Sequence, residues 1–153
     1  MANPFPFTAG QVLTAAQMNG IGETTSFTPS WTGLTVGNGT LTYATYVRVQ
    51  NLIYVQVTFV LGSTSAVTGN IYITPPVTPT NGNQNAIGVG LMADVSTGAI
   101  YTTTSSLAGG NIQTLPTVTS GAYATTTSAS ATVPMTWATG DVVTFCATYR
   151  TTA

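Results

Sequence analysis

The stretch TLTYATYVRVQNLIYVQVTFVL, Thr40 to Leu61, alternates regularly enough to decide the fold class. Its odd positions carry Leu41, Tyr43, Thr45, Val47 and Val49, then Ile53, Val55, Val57, Phe59 and Leu61. Apolar residues at every second position mark strands with one buried face. A three-residue loop, Gln50-Asn51-Leu52, pairs Val49 with Ile53, Val47 with Val55, Thr45 with Val57, Tyr43 with Phe59 and Leu41 with Leu61, so that every pair faces the core. A two-residue loop opposes the odd series of one strand to the even series of the other, and that mismatch predicts the three-residue register. Asn51 suits the left-handed backbone position that such loops need. The opposite face then carries Tyr46, Arg48, Tyr54, Gln56 and Thr58, with Arg48 opposite Tyr54.

Working outward, the same period recurs near the C-terminus. Over Asp141–Tyr149 it places Val143, Phe145, Ala147 and Tyr149 on one face and Val142, Thr144, Cys146 and Thr148 on the other. Shorter strands are predicted over Asn70–Thr74, ended by Pro75-Pro76, and over Ala86–Ala93, Ala99–Thr104 and Asn111–Leu115. Gly62–Gly69 reads as a loop and the Ser/Thr/Ala-rich Thr119–Thr132 as an exposed connection. About seven or eight short strands at this spacing predict an all-β fold, an antiparallel β-sandwich or jelly roll, over residues 26–153.

Residues 1–25 differ in kind. Thr14-Ala-Ala-Gln17 is a capping box, with Leu13 and Met18 at the flanking staple positions and Asn19-Gly20 as the stop, so a short helix is predicted. Upstream, Asn3-Pro-Phe-Pro-Phe7 is held extended, because the residue before a proline is pushed out of the helical region. An extended arm too short to bury its own aromatics either anchors into something else or folds back on its own sandwich, and the anchor is the favoured reading. Phe5, Phe7, Leu13 and Met18 are therefore the candidates for anchoring the chain to a larger assembly.

Composition narrows the function. Of 153 residues only two are Lys or Arg, three are Asp or Glu and none is His; threonine makes up about a fifth. A soluble surface ordinarily devotes about a quarter of its residues to charge, so this one is hydrated through hydroxyls and amides. A net charge of −1 supplies no field to steer nucleic acid. The 43% hydrophobic content opposes disorder. The N-terminus lacks the positive start and apolar core of a signal peptide, and the apolar stretches Leu52–Leu61 and Ala86–Ala93 are too interrupted to span a bilayer as helices. Neither nucleic-acid binding nor membrane insertion is expected.

Motifs that could carry chemistry fail on context. Gly88-Val-Gly-Leu-Met-Ala93 matches a dinucleotide fingerprint, but no helix follows and Asp94 comes at once, so a glycine-punctuated strand explains it better. Cys146, the single cysteine, has no histidine to serve as its base and reads as a structural thiol. Asp94 and Asp141 each adjoin turn residues and read as turn caps. Asn38-Gly-Thr40 matches a glycosylation acceptor but is more simply a turn. Ligands are too few for a metal site of His, Cys or carboxylate. No catalytic residue, metal or cofactor is expected. Trp31 and Trp137 read as core residues. Tyr46, Arg48 and Tyr54 are the candidate contact cluster, for a subunit interface or a sugar.

The segments Phe7-Thr-Ala-Gly-Gln-Val-Leu-Thr-Ala-Ala-Gln-Met-Asn19, Phe27-Thr-Pro-Ser-Trp31, Leu34-Thr-Val-Gly-Asn-Gly-Thr40, Tyr46-Val-Arg-Val49 and Trp137-Ala-Thr-Gly-Asp-Val-Val-Thr-Phe-Cys-Ala-Thr-Tyr149 resemble bacteriophage and prophage virion proteins of the small fibre, minor tail and head-decoration type. The resemblance implies a trimeric β-sandwich on an N-terminal attachment segment. Two positions depart from it: Gln50-Asn51, where a glycine is common, and Arg150, where an acidic residue is. The expectation is a non-enzymatic virion structural protein, a homotrimeric capsid-decoration or head-fibre protein docked on capsid or tail proteins through residues 1–25 and assembled in the bacterial host cytoplasm. The alternative is a tail-fibre or receptor-binding tip that adheres to host surface glycan.

Overall fold

The computed structural model of the protein describes residues 9–12 and 14–152. The capping box forms as its residues dictate: Thr14 Oγ1 accepts from the Gln17 amide at 3.2 Å and Gln17 Oε1 accepts from the Thr14 amide at 3.0 Å. It opens helix α1, Ala15–Asn19, which closes at Gly20 in an ordinary right-handed conformation. Ten strands follow: β1 (Thr24–Ser26), β2 (Trp31–Thr35), β3 (Thr40–Val49), β4 (Leu52–Val60), β5 (Ala66–Ile73), β6 (Gln84–Asp94), β7 (Ala99–Ala108), β8 (Asn111–Ser120), β9 (Tyr123–Thr126) and β10 (Val142–Arg150).

The all-β antiparallel expectation holds. The strands make one continuous sheet in the order β1-β3-β4-β10-β6-β7-β8-β5-β2, with β9 paired to β8 outside that path. The sheet curls into a half-barrel, so that its two legs face each other as the layers of a sandwich do. Trp31 on β2 shows the closure, its ring centroid 5.1 Å from Phe59 on β4 and 5.9 Å from Phe145 on β10. Aromatic pairs at such separations add about 0.5–1.5 kcal/mol beyond the area they bury.

Alternation chose the inner face of β4 and β10 correctly. Ile53, Val55, Val57 and Phe59 are fully buried, as are Val143, Phe145, Ala147 and Tyr149 across the β4–β10 ladder. From the other leg Leu34, Ile71, Ile73 and Ile112 complete the core. Trp31 and Trp137 pack against it as half-buried residues, and the Trp137 indole donates to the Ser130 carbonyl at 2.8 Å.

The β3–β4 hairpin departs from the predicted register. Val49 pairs with Leu52, Arg48 with Ile53, Val47 with Tyr54 and Tyr46 with Val55, leaving a two-residue turn at Gln50-Asn51. Gln50, not Asn51, takes the left-handed backbone, at φ 54°. The even series of β3, Ala44 and Tyr46, therefore packs on the core, while the odd series from Tyr43 to Val49 turns outward. A bulge between Leu41 and Tyr43 reverses the parity and restores Leu41 opposite Phe59. The reason lies in packing: Phe27, in the segment after β1, meets the Tyr46 ring edge-on at 6.0 Å. Two further expectations change. Ala66–Gly69 belongs to β5 instead of a loop, and part of Thr119–Thr132 is the β8–β9 hairpin, exposed throughout β9.

The glycines of the Gly88–Ala93 motif have a structural purpose. β6 first runs over β10, at Gly88 and Gly90, and pairs with it only from Leu91 to Ala93. A Cβ on Gly88 would overlap the Cys146 carbonyl oxygen and lie 2.9 Å from the Ala147 Cα, and one on Gly90 would overlap the Thr144 carbonyl oxygen. The missing side chains let two backbones cross.

Candidate functional site

The corrected register divides the predicted Tyr46–Arg48–Tyr54 cluster. Arg48 and Tyr46 lie on the inward side of β3, opposite buried Ile53 and Val55. The Arg48 guanidinium turns back on its own hairpin, Nε donating to the Gln50 carbonyl at 2.8 Å. Tyr54 alone faces outward, 44% exposed. Partial burial, and then the neighbouring Cys146, push its phenol above the ordinary tyrosine range. Cys146 is a free, half-buried thiol on the same face. Of the anchoring candidates, Phe5, Phe7 and Leu13 lie outside the described residues. Met18, on α1, is exposed.

The outward face of β3-β4-β10-β6-β7 is the first surface of interest. Tyr43, Val49, Leu52, Tyr54, Val89 and Ile100 are all exposed on it. Between them lie Gln56, Thr58, Thr144, Cys146 and Thr148 from β4 and β10. Its outward positions carry a single charge, Arg150, at the margin opposite Leu52. Large exposed apolar side chains gathered on one face, framed by hydroxyls and without charge, are the composition of a contact surface.

The two aspartates act as turn caps, as their settings predict. Asp94 Oδ1 accepts from the Ser96 hydroxyl at 2.7 Å and from the Thr97 amide at 3.0 Å. These bonds, Ser96's first, hold the Asp94 carboxyl below the usual carboxylate range. Asp141 does more than the sequence suggested. Fully buried, it accepts from the Ala138 amide at 2.7 Å and, across the fold, from the Val95 amide at 3.0 Å. Tyr149 spans the core in the same manner, its phenol donating to the Val77 carbonyl at 2.8 Å, and burial raises its pKa well above the ordinary tyrosine value. Among the described residues no three acidic or cysteine side chains gather as a metal site would require, and no helix is long and apolar enough to cross a membrane.

A second surface had no signal in the sequence. On the outward side of the opposite leg, Thr32 (β2), Tyr72 (β5), Ala108, Gly109 and Asn111 line a cleft of about 370 Å³. Pairing of Thr32 with Tyr72 and of Ala108 with Asn111 brings these distant segments together. Asn70 Nδ2 donates to the Tyr72 phenol oxygen at 3.3 Å, and Asn111 Nδ2 donates to the Gly109 carbonyl at 3.4 Å.

Buried hydroxyls without partners form a third feature, on the inner surface of β7 and β8. Thr103, Ser105 and Thr114 are fully buried, and none of their side-chain hydroxyls finds a hydrogen bond. Ser105 and Thr114 are cross-strand partners. No protein-family model, curated protein or solved structure matches the chain.

Proposed function

We propose that this chain is a non-enzymatic structural protein of a bacteriophage particle, a homotrimeric capsid-decoration or head-fibre protein docked through residues 1–25 and self-associating through the sheet that follows. The observation that carries the reading is the uncharged outward face of β3-β4-β10-β6-β7. Tyr54 and Ile100, 44% and 70% exposed, stand on it with only Arg150 at its edge. A face of this kind packs against identical copies without desolvating ion pairs, a step that costs several kcal/mol per ion when pairing is imperfect. It offers nothing to a strongly charged partner. The resemblance of the N-terminal and C-terminal segments to virion proteins supports the assignment to a particle, and the capping-box helix, Ala15–Asn19, lies within the proposed attachment segment.

Light scattering coupled to size exclusion tests the reading. The parent chain is expected to run as a trimer, and Tyr54→Asp combined with Ile100→Asp as a folded monomer, since each buries a charge at the contact. A parent chain that is monomeric at all concentrations, or a double variant that stays trimeric, would overturn the assignment of this face. Because so few charges are present to be screened, the association is expected to change little between low and moderate salt.

A further inference from the structure

We infer that the cleft between β2, β5 and the β7–β8 turn is a binding site for a neutral sugar, a pyranose ring or the end of a neutral glycan. This inference does not rest on the assembly reading, since none of the residues lining the cleft is among the exposed apolar side chains of the contact face. The cleft, about 370 Å³, is at the lower end of the ~300–1,000 Å³ range of small-ligand sites. That size suits one or two rings.

Its chemistry is specific in what it offers and in what it lacks. Tyr72 supplies an aromatic surface for the apolar C–H side of a pyranose, with a polar group at its tip. The Tyr72 oxygen already accepts from Asn70 Nδ2, so its own proton is left to donate into the cleft. The Asn111 amide nitrogen is engaged by the Gly109 carbonyl, so Oδ1 is left to accept. The Thr32 hydroxyl, exposed beside Tyr72 as its cross-strand partner, can do either. One donor, one acceptor and one group that is both match the alternating demands of adjacent sugar hydroxyls. None of the five charged residues lines the cleft. A phosphate, a sulfate or an acidic sugar would leave its water for a site with no cation, at a net cost. Asn70 reinforces the arrangement: its Nδ2 orients the Tyr72 phenol, while its Oδ1 is buried without a hydrogen-bond partner.

The experiment is an NMR amide-shift titration of the whole protein with the methyl glycosides of glucose, galactose, mannose and N-acetylglucosamine, and in separate arms with sialic acid and inorganic phosphate. A site this open, with one aromatic wall, is expected to bind in the millimolar range. At least one neutral glycoside should produce saturable shifts at Thr32, Tyr72, Gly109 and Asn111. Those shifts should vanish in Tyr72→Ala and weaken several-fold in Tyr72→Phe. Thr32→Ala, an exposed position, should weaken binding with an unchanged melting temperature, so a folding defect at Tyr72 cannot be mistaken for the result. No saturable shift at the cleft with any neutral glycoside, or tighter binding of phosphate or sialic acid than of every neutral sugar, would overturn the inference. Loss of trimerisation alone would leave it standing.

Discussion

Asp141 is the position where a single substitution tests the fold most sharply. Its carboxylate, wholly buried, receives the Ala138 amide at 2.7 Å and the Val95 amide at 3.0 Å, while its backbone carbonyl receives the Leu61 amide at 2.8 Å. One residue thus joins the entrance of β10, the β6–β7 turn and the end of β4. Truncation to alanine keeps the backbone bond and leaves two amides without acceptors. Each orphaned amide costs ~1–3 kcal/mol, so Asp141→Ala should lose about 2–6 kcal/mol. Asp141→Asn keeps one acceptor and turns an amide nitrogen toward the other N–H, so about 1–3 kcal/mol is expected. Against a total of about 5–15 kcal/mol for an ordinary domain, the first value is a large share. Urea unfolding followed by tryptophan fluorescence reads both, because Trp31 packs 5.1 Å from Phe59 inside the curl of the sheet. Parent and variants must be compared at one protein concentration, since the association proposed above would stabilise the folded chain by mass action. An alanine variant within about 1 kcal/mol of the parent would refute the reasoning, as would an asparagine variant less stable than the alanine one.

Two other outcomes follow from the same hydrogen-bond geometry. Thr103→Val replaces a fully buried hydroxyl that has no partner by an apolar group of the same shape, so thermal melts should show the variant as stable as the parent or more stable by up to ~1 kcal/mol; a loss greater than that would mean the hydroxyl is satisfied. Asp94 is held below the usual carboxylate range by Ser96 and then Thr97. A depressed folded-state pKa contributes stability that is present above the unfolded value, near ~3.9, and is lost as pH falls through the folded value. The melting temperature of the parent should therefore fall on acidification below about pH 4 more steeply than that of Asp94→Asn, and parallel curves would remove Asp94 from the acid response.

How much of this was legible depended on how unequal the two faces of each strand were. Within β4, over residues 53–59, the contrast is strong, Ile, Val, Val and Phe against Tyr, Gln and Thr, and in β10 the inner set is nearly as distinct. Alternation alone therefore identifies the buried faces of both strands. In β3 both series are mixed: Leu41, Tyr43, Thr45, Val47 and Val49 compete with Ala44, Tyr46 and Arg48. Nothing local separates them. The choice went to the even series because Phe27 packs on Tyr46, and the bulge near Thr42 absorbed the difference. That single step split the contact cluster expected at Tyr46, Arg48 and Tyr54.

The sequence by itself determined the all-β class, the short capped helix, the core faces of β4 and β10, and the turn duty of Asp94. Each of these depends on residues within a few positions of one another, where period and side-chain reach act directly. Tertiary structure alone decided the β3–β4 register, the second bond of Asp141 to Val95, the backbone crossing at Gly88 and Gly90, and the cleft of Thr32, Tyr72 and Asn111. Those depend on segments far apart in the chain that meet only when the sheet curls, and their side chains share no periodicity until it does.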